Sequence, residues 1–447
     1  MSNEDRIKLL EEKRQKINNV SCSFCTAKWL QTTLYLQTGY NHSCHHPSPH
    51  LIPLEEIEKD PAALHNSQYK KEQRLKMLTG ERPSECDYCW KIEDLNKDYF
   101  SDRHYKTADY WAWDRFKEIA DSDPGENVYP SYLEVSFSNA CNFACAYCSP
   151  EISSKWAEDI KQNGPYSSGP GFHKPVYKNN EHNPYVEAFW KWFPDALPHL
   201  KVLRLTGGEP TMSKDTWKLL DYLIQNPKDI EIAINTNLGV PDALINRLIF
   251  KIQQLKEVGI NVDVYTSAES INEHANYARD GMDFDLWYAN TRRILEETHS
   301  KVAIMTTINI LSLPSLESLI EKIMDLRILY NNDFANNRIP LSINYLRWPR
   351  HLQCTLLSKE DRLQYANAIE STCKEWLKYY SKEKYARLYL EEWDQIKRFC
   401  DYLKTEEIAT QQRNNFVRYI QEYDKRRNKN FATTFPEFAH LLEEWNA

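Results

Sequence analysis

The stretch Cys141-Asn-Phe-Ala-Cys145-Ala-Tyr-Cys148 carries three cysteines at CxxxCxxC spacing. It follows an apolar run over residues 132–137 that predicts a β-strand. Three thiolates are one fewer than a closed four-ligand metal site requires. A four-iron four-sulfur cluster held by three cysteines leaves one iron without a protein ligand, able to bind and polarise a small molecule. The alternatives are a structural zinc loop that lacks its fourth ligand and a set of buried free thiols.

The cysteine spacing, with the aromatic Tyr147 directly before the third cysteine, resembles the signature of the radical S-adenosylmethionine (radical SAM) superfamily. The resemblance implies that Cys141, Cys145 and Cys148 ligate the cluster and that Tyr147 lies at the cofactor. It also implies that the open iron chelates the methionine amino and carboxylate groups of S-adenosylmethionine. An electron from the cluster then breaks the sulfonium bond and releases a 5'-deoxyadenosyl radical.

Composition narrows the class of protein. The chain has 447 residues, of which 41% are hydrophobic and 27% charged, and this predicts a soluble, globular protein of two or three domains. The N-terminus lacks an apolar export segment and no stretch is apolar enough to span a bilayer, so we expect a cytoplasmic protein with no membrane partner. Eleven cysteines then point to metal or redox chemistry. A net charge of −8 argues against a nucleic-acid partner.

The chain beyond residue 130 alternates between strand-like and helix-like patterns, which predicts an α/β fold with parallel strands and crossover helices. Six such units fit the partial (β/α)6 TIM-like barrel of the superfamily that the chain resembles. The predicted strands are 132–137, 201–206, 229–235, 260–266, 301–309 and 340–346.

We predict five segments along the chain. They are an N-terminal helix (1–20), a cysteine-rich module (21–96), a linker (97–130), the (β/α)6 core (131–350) and a helical C-terminal region (351–447). Within the core, residues 163–184 are rich in Gly, Pro, Ser and Asn and predict a long inserted loop. The C-terminal region shows helical patterns over 357–380, 384–422 and 436–445.

The N-terminal module contains five thiols within 68 residues: Cys22, Cys25, Cys44, Cys86 and Cys89. Two CxxC pairs could form a four-cysteine zinc site. Their separation, however, is far longer than the roughly 15 to 20 residues usual in zinc ribbons, and Cys44 would be left over. His45 and His46 beside Cys44 are interpreted as loop residues, with metal ligation as the alternative.

The other interpretation rests on the pattern Cys25, Gly39-x4-Cys44 and Cys86-x2-Cys89. It resembles the twitch domain, the shortened form of the SPASM domain of many radical SAM enzymes. The resemblance implies that Cys25, Cys44, Cys86 and Cys89 ligate a second, auxiliary 4Fe-4S cluster. In most relatives this module follows the barrel, whereas here it precedes it. The choice between Cys25 and Cys22 stays open from the sequence.

A second motif, Leu205-Thr206-Gly207-Gly208-Glu209-Pro210, follows the second predicted strand. The two glycines allow a ligand to approach the backbone, whose carbonyl groups can accept hydrogen bonds from an ammonium group that Glu209 also balances. The motif is similar to the GGE motif that holds the methionine amino group in radical SAM enzymes. The alternative is an ordinary Gly-Gly turn.

Further cofactor contacts are predicted at later strand ends. Asn235 lies at the end of the third strand, where a strand-end cap is the alternative, and Ser267 and Glu269 follow the fourth, where they suit ribose hydroxyls. Ser267 and Glu269 stand where the family has Ser and Asp, and Arg279 resembles the arginine that pairs with the methionine carboxylate in related maturases. By contrast, three isolated cysteines in helical patterns are expected to be buried free thiols: Cys354, Cys373 and Cys400.

These features together predict an oxidoreductase-like radical SAM enzyme. The twitch resemblance implies oxidative chemistry, and we expect the substrate to be a peptide, with a small metabolite as the alternative. An electron donor such as flavodoxin or ferredoxin is expected as a partner. A non-enzymatic iron-sulfur electron carrier is disfavoured, because a carrier has no use for Gly207-Gly208-Glu209 or for a three-cysteine site.

Overall fold

A computed structural model describes residues 3–169, 174–179, 181–378, 385–405 and 410–446. The fold is α/β, with a large and mostly parallel sheet and helices, consistent with the partial TIM-like fold expected from the sequence. The chain divides into two compact units. The first comprises residues 1–138, 176–207 and 227–233, and the second comprises 139–175, 208–226 and 234–447.

The strands of the first unit pair in the order β3-β2-β1-β4-β6. Their bounds are β1 Gln31–Tyr35, β2 Tyr40–His42, β3 His50–Leu51, β4 Tyr132–Ser136 and β6 Val202–Thr206. Strand β1 runs parallel to β4, and β4 runs parallel to β6, whereas β2 pairs antiparallel with both β1 and β3. The turn between β1 and β2 requires Gly39, whose φ is +73° and whose added β-carbon would lie 2.2 Å from the Tyr185 ring.

Strand β1 is the main departure from the sequence-based expectation for this unit. We predicted no strand in the N-terminal module, yet β1 lies beside β4, the first strand predicted for the core, with Thr33 opposite Glu134. The module therefore contributes a parallel strand to the sheet. The boundaries of the five predicted segments stay predictions.

Several helices of the first unit begin at local signals that the sequence carries. The last of these helices, Pro184–Ala196, starts with a proline, and the Asn183 side chain before it accepts hydrogen bonds from the Tyr185 and Val186 amides. Their bounds are α1 Asn3–Val20, α2 Ala27–Leu30, α3 Leu54–Lys59, α4 Ala63–Asn66, α5 Gln68–Leu78, α6 Asp87–Leu95, α7 Asp102–Ala108, α8 Tyr110–Trp113, α9 Phe116–Ala120 and α11 Pro184–Ala196. Short 3-10 helices span Ser84–Cys86 and Leu197–His199.

The second unit carries parallel strands in the order β11-β10-β8, from Val302–Ile308 (β10), Leu341–Tyr345 (β11) and Val262–Ser267 (β8). Strand β7, Glu231–Asn235, begins in the first unit and ends in the second. A separate antiparallel pair joins β5, Ala144–Cys145, to β9, Arg279–Asp280. All six predicted strands are confirmed, with ends within two residues of those expected.

Helices of the second unit include the crossover helices and the C-terminal region. Their bounds are α10 Ser154–Asn163, α12 Lys214–Gln225, α13 Asp242–Glu257, α14 Asn272–Ala278, α15 Phe284–Glu297, α16 Leu316–Tyr330, α17 Lys359–Lys378, α18 Leu390–Leu403, α19 Thr410–Arg427, α20 Phe431–Thr434 and α21 Leu441–Glu444. Short 3-10 helices span Pro210–Met212, Leu313–Ser315, Arg350–Leu352, Cys354–Leu356 and Pro436–Phe438.

The C-terminal region is helical, as its pattern predicts. The helical pattern over 384–422 is divided between α18 and α19, and residues 379, 380, 384 and 406–409 of the predicted helices lie outside the described residues. In the predicted loop over 163–184, the described part is irregular from Gly164 to Asn183, while residues 170–173 and 180 lie outside it. Among the described helices, none combines the length and the apolar character needed to cross a membrane.

Candidate radical SAM site

The three-cysteine loop is fixed by hydrogen bonds to its backbone. The indole nitrogen of Trp156, in the first turn of α10, donates to the Cys145 carbonyl at 2.8 Å. The Tyr419 hydroxyl, on α19, donates to the next carbonyl, that of Ala146, at 2.6 Å. The Ala146 amide in turn donates to the Ala278 carbonyl at 2.8 Å. Three separate segments of the second unit therefore hold the peptide that joins the second and third cysteines.

The three thiols lie in a desolvated environment. Cys141 and Cys145 are each 8% exposed, and Cys148 is half-buried. Burial, and then the neighbouring Cys145 thiol, raises the pKa of Cys148 to about 12. The pKa of Cys141 is raised by the same two causes. Buried thiols grouped in this way ionise readily only when a cation replaces their protons, so the donor set fits an iron-sulfur group.

The two glycines of the second motif are required by close backbone approaches. Gly207 has φ +128°, and a β-carbon there would lie 2.8 Å from the Ser136 hydroxyl oxygen. A β-carbon on Gly208 would lie 2.4 Å from the Ala140 carbonyl oxygen. The Glu209 amide donates to that same carbonyl at 2.7 Å. The segment from Gly208 to Glu209 is thus packed directly on the backbone that leads into the cysteine loop.

The Glu209 carboxylate is buried and fully engaged by its neighbours. It accepts four hydrogen bonds of 2.7–3.0 Å, from the Thr211 amide and hydroxyl, the Thr236 hydroxyl and the Asn237 amide. Burial raises the pKa of Glu209, and these hydrogen bonds oppose that rise. In this arrangement the carboxylate ties the second motif to the loop that follows β7. That Glu209 balances the charge of an ammonium group stays a prediction.

A buried ion pair lies beside the cysteine loop. Glu269, 1% exposed, accepts from the Arg279 Nε at 2.7 Å and from a terminal nitrogen of the same guanidinium at 2.5 Å. The Tyr147 hydroxyl donates to Glu269 at 2.8 Å. The other terminal nitrogen of Arg279 lies 3.6 Å from the Cys145 sulfur. Three residues predicted to contact the cofactor are therefore linked to one another and to a cysteine that is predicted to ligate the cluster.

The remaining predicted cofactor residues lie at strand ends. Thr206 is the last residue of β6, Asn235 the last of β7 and Ser267 the last of β8, and each is half-buried. In β/α folds the carboxyl ends of parallel strands carry the active-site residues. These positions agree with the predicted contacts to S-adenosylmethionine, which stay predictions.

In the first unit, four cysteines of the N-terminal module line one small cavity: Cys25, Cys44, Cys86 and Cys89. Cys86 and Cys89 lie at the start of α6, where unpaired amide groups of a helix favour anionic sulfur. Desolvation raises the pKa of both thiols to about 12. The donor set therefore also fits a thiolate-bound metal group.

Cys22 lies apart from these four thiols. It is exposed, its sulfur lies 3.3 Å from the Gly80 carbonyl oxygen, and it does not line the cavity. His46 does line the cavity, where its Nε2 is 2.6 Å from Asp102, whereas His45 is exposed. Within the described ranges, no three His, Cys, Asp or Glu side chains form a ready-made site for a single metal ion.

Positive charge is buried around the four-cysteine cavity. Arg103, 3% exposed, lines it and is held by Glu93 through hydrogen bonds of 2.7 and 2.9 Å. Lys28, 2% exposed, pairs with Glu85; burial lowers the pKa of Lys28, but the neighbouring Cys86 and Glu85 raise it above its ordinary value. Buried cations of this kind offset the negative charge of a thiolate-rich group.

Comparison with known proteins assigns the middle of the chain to a protein family. Residues 135–326 match the family model described as the radical SAM superfamily. This stretch is a radical SAM domain. The match contains the three-cysteine loop, the Gly207-Gly208-Glu209 motif and the Glu269–Arg279 pair. The domain is that of an enzyme superfamily.

The chain is also similar to curated proteins named GTP 3',8-cyclase. It is 29% identical over 152 residues to that of Yersinia pestis, covering 34% of this chain and 38% of the relative. It is 29% identical over 176 residues to that of Pasteurella multocida (39% and 43%), and 28% identical over 133 residues to that of Aliarcobacter butzleri (30% and 34%). The chain thus spans about two fifths or less of the length of these relatives.

Several residues that support the radical SAM site were not found by the sequence analysis. Trp156, Thr236 and Tyr419 carry no motif that marks them, because each acts through a hydrogen bond to a residue between 11 and 273 positions away in sequence. Tyr419 also lies outside the matched domain. By contrast, Cys354, Cys373 and Cys400 are buried and free, as predicted. Isolated cysteines in helical patterns were therefore interpreted correctly.

The buried ion pair yields a first prediction. The substitution Glu269→Gln keeps the shape of the side chain but leaves the Arg279 charge uncompensated, so we expect the free energy of unfolding to fall by about 3–5 kcal/mol. Unfolding in denaturant measures this free energy. Glu273→Gln, at an exposed position of the same region, is the control and should unfold as the unaltered protein does. Equal midpoints for the two variants would contradict the prediction.

The Tyr419 hydrogen bond yields a second prediction. The substitution Tyr419→Phe leaves the buried Ala146 carbonyl without its donor, so we expect backbone amides of the cysteine loop to exchange about tenfold faster. Hydrogen exchange followed by mass spectrometry of peptides over 141–148 measures this. Tyr288→Phe is the control, because the Tyr288 hydroxyl makes no hydrogen bond among the described residues. Unchanged exchange in Tyr419→Phe would show that α19 does not restrain the loop.

Proposed function

We propose that this protein is a radical SAM enzyme that reductively cleaves S-adenosylmethionine at a 4Fe-4S cluster ligated by Cys141, Cys145 and Cys148. The observation that carries the proposal is the grouping of two buried thiols and one half-buried thiol on one loop inside a radical SAM domain. When bound, such a cluster supplies the electron that breaks the sulfonium bond and releases a 5'-deoxyadenosyl radical. The surrounding residues bind and orient the cofactor.

The Glu269–Arg279 pair is proposed to orient one end of S-adenosylmethionine. Glu269 occupies two nitrogens of the guanidinium and leaves the third beside the Cys145 sulfur, so that the arginine is preset to pair with a carboxylate there. Glu269 would then act mainly as a positioning residue, because Arg279 and Tyr147 already engage its carboxylate. The backbone carbonyls of Gly207 and Gly208 would accept hydrogen bonds from the methionine ammonium group.

The ribose would be held by the remaining predicted residues. Thr206, Asn235 and Ser267 offer short polar side chains at strand ends, which suit hydroxyl groups. Burial raises the pKa of Tyr147, so its hydroxyl remains a donor to Glu269 and its ring stays fixed beside the third cysteine.

A second 4Fe-4S cluster is proposed for the cavity lined by Cys25, Cys44, Cys86 and Cys89. The support is the convergence of these four thiols, from three separate parts of the module, next to the buried Arg103. The arrangement uses Cys25 rather than Cys22 as the ligand. The resulting module is twitch-like in its ligand set, although it precedes the radical SAM domain.

Oxidative chemistry is the reaction class that a second cluster favours. The substrate would lose one hydrogen atom to the 5'-deoxyadenosyl radical and then one electron and one proton. The electron has an acceptor if an oxidised cluster occupies the second cavity, and the proton passes to solvent or to a base. A protein such as flavodoxin or ferredoxin would supply electrons to the first cluster, in a cytoplasmic setting.

For the substrate we favour a small polar molecule. The relatives carry a name that refers to GTP, which is a small polar molecule. Oxidative modification of a peptide, the class that the sequence favours, stays a prediction.

The first cluster gives a direct test. Replacing Cys141, Cys145 or Cys148 by Ala should abolish formation of 5'-deoxyadenosine from S-adenosylmethionine, because each removes an iron ligand. The assay uses the anaerobically reconstituted, reduced protein, and iron at the second site should remain. Cys22→Ala, at an exposed thiol outside both groups, is the control and should keep the activity. Unaltered 5'-deoxyadenosine formation in any of the three variants would refute the assignment.

The second cluster is tested by metal content. The reconstituted protein should hold about eight irons, and Cys44→Ala or Cys86→Ala about four, if both clusters are of the four-iron type. Cys22→Ser should keep about eight irons, because its thiol does not line the cavity. About four irons with one zinc, lost in Cys22→Ser, would instead support a zinc site built from two CxxC pairs.

A further inference from the structure

Lys28 is a buried cation next to the four-cysteine cavity of the first unit. It lies in α2, three residues after Cys25, and its amide donates to the Cys25 carbonyl at 3.1 Å. Its side chain, 2% exposed, pairs with Glu85, the residue directly before Cys86. Lys28 is therefore linked to two segments that each supply a thiol to the cavity.

The charge of Lys28 acts on three of the four cavity thiols. Burial raises the pKa of Cys25, Cys44 and Cys86, and Lys28 opposes that rise at each of them. At Cys86 the lysine has a larger effect on the pKa than the neighbouring Glu85 carboxylate has. Lys28 therefore stabilises negative charge in the cavity even though it is paired.

A second buried cation, Arg74 on α5, reinforces Lys28. It is fully buried, and its Nε donates to the Lys28 carbonyl at 3.3 Å. Its other side-chain partners among the described residues are the Asn66 amide oxygen and the ring and carbonyl of His65, none of which is a carboxylate. Burial lowers the pKa of Arg74 to about 9, so the guanidinium stays charged at neutral pH. Lys28 and Arg74 together carry one positive charge more than Glu85 neutralises.

Buried positive charge of this kind affects the two redox states of an iron-sulfur cluster unequally. A cluster ligated by four thiolates is already anionic, and it gains one more negative charge when it accepts an electron. The attraction to a nearby cation is therefore stronger in the reduced state, and the low dielectric of a buried site enlarges the difference. Because the net charge around a cluster helps to set its reduction potential, such a cation raises that potential.

We propose that Lys28 raises the reduction potential of the second cluster and so makes that cluster an electron acceptor. The proposal rests on the proposed function, which assigns the second 4Fe-4S cluster to the four-cysteine cavity. In the oxidative reaction the substrate radical gives up one electron, which reduces the oxidised cluster, and one proton, which passes to solvent or to a base. Lys28 acts on this step through the cluster and does not touch the substrate.

Redox titration of the full-length protein, followed by electron paramagnetic resonance, measures the potential. A Cys141→Ala background removes the first cluster, so that the signal comes from the second. Lys28→Gln should shift the ratio of reduced to oxidised cluster about tenfold towards the oxidised form, a fall of about 59 mV for one electron.

Glu85→Gln provides a second variant with the opposite expected sign. It removes the carboxylate that opposes Lys28, so the potential should rise. If Lys28→Gln fails to hold the cluster, the rise in Glu85→Gln decides the question. A loosened cavity that admits water would move both potentials in the same direction. Shifts of equal sign, or no shift in either variant, would overturn the proposal.

Lys13→Gln is the matched control. Lys13 is a half-buried cation of the same unit, and its charge interacts with Asp109, Asp114 and Lys16. Its variant should keep the potential of the unaltered protein, and a fall equal to that of Lys28→Gln would overturn the role of Lys28.

Iron content distinguishes a failure of this inference from a failure of the proposed function. In the Cys141→Ala background the protein should hold about four irons. A protein without iron in this background would refute the second cluster and this inference with it. About four irons together with a potential that ignores Lys28 would refute the inference alone.

Discussion

The hydrogen bonds that hold the peptide between Cys145 and Cys148 are the constraint on which the candidate site depends. Three thiols on a loop can share one group only if the loop keeps its shape, and the pairing of Ala144 and Cys145 with β9 holds only part of it. Here Trp156 and Tyr419 donate hydrogen bonds to two successive carbonyl groups, those of Cys145 and Ala146. The Ala278 carbonyl accepts a hydrogen bond from the Ala146 amide. The C-terminal helix α19 therefore takes part in shaping a site whose ligands lie far away in sequence.

Two buried carboxylates, those of Glu209 and Glu269, in the same way fix the residues that are predicted to contact the cofactor. Glu209 joins the glycine motif to the loop after β7, and Glu269 joins Arg279 to Tyr147. Each carboxylate is satisfied by several donors, so that its position is fixed before any ligand arrives. Pre-formed arrangements of this kind reduce the ordering that a cofactor must impose when it binds.

The sequence predicted the six core strands, because an alternation of apolar strands and amphipathic helices leaves a periodic pattern. It also grouped Cys25, Cys44, Cys86 and Cys89, which do line one cavity. It missed β1, because Gln31-Thr-Thr-Leu-Tyr35 is short, mostly polar and lies among cysteine motifs. It also missed the engagement of Glu269 by Arg279 and Tyr147, since no local pattern records which of several partners a carboxylate takes.

The parallel pairing of β1 with β4 makes the N-terminal module a part of the sheet rather than an attachment to it. Gln31 and Tyr132 are neighbours in the sheet although 101 residues separate them in sequence, so that a long segment must be ordered before the strands meet. A shortened chain that began after the module would leave the edge of β4 unpaired. Exposed edges of this kind recruit other chains, and aggregation would be the outcome of such a deletion.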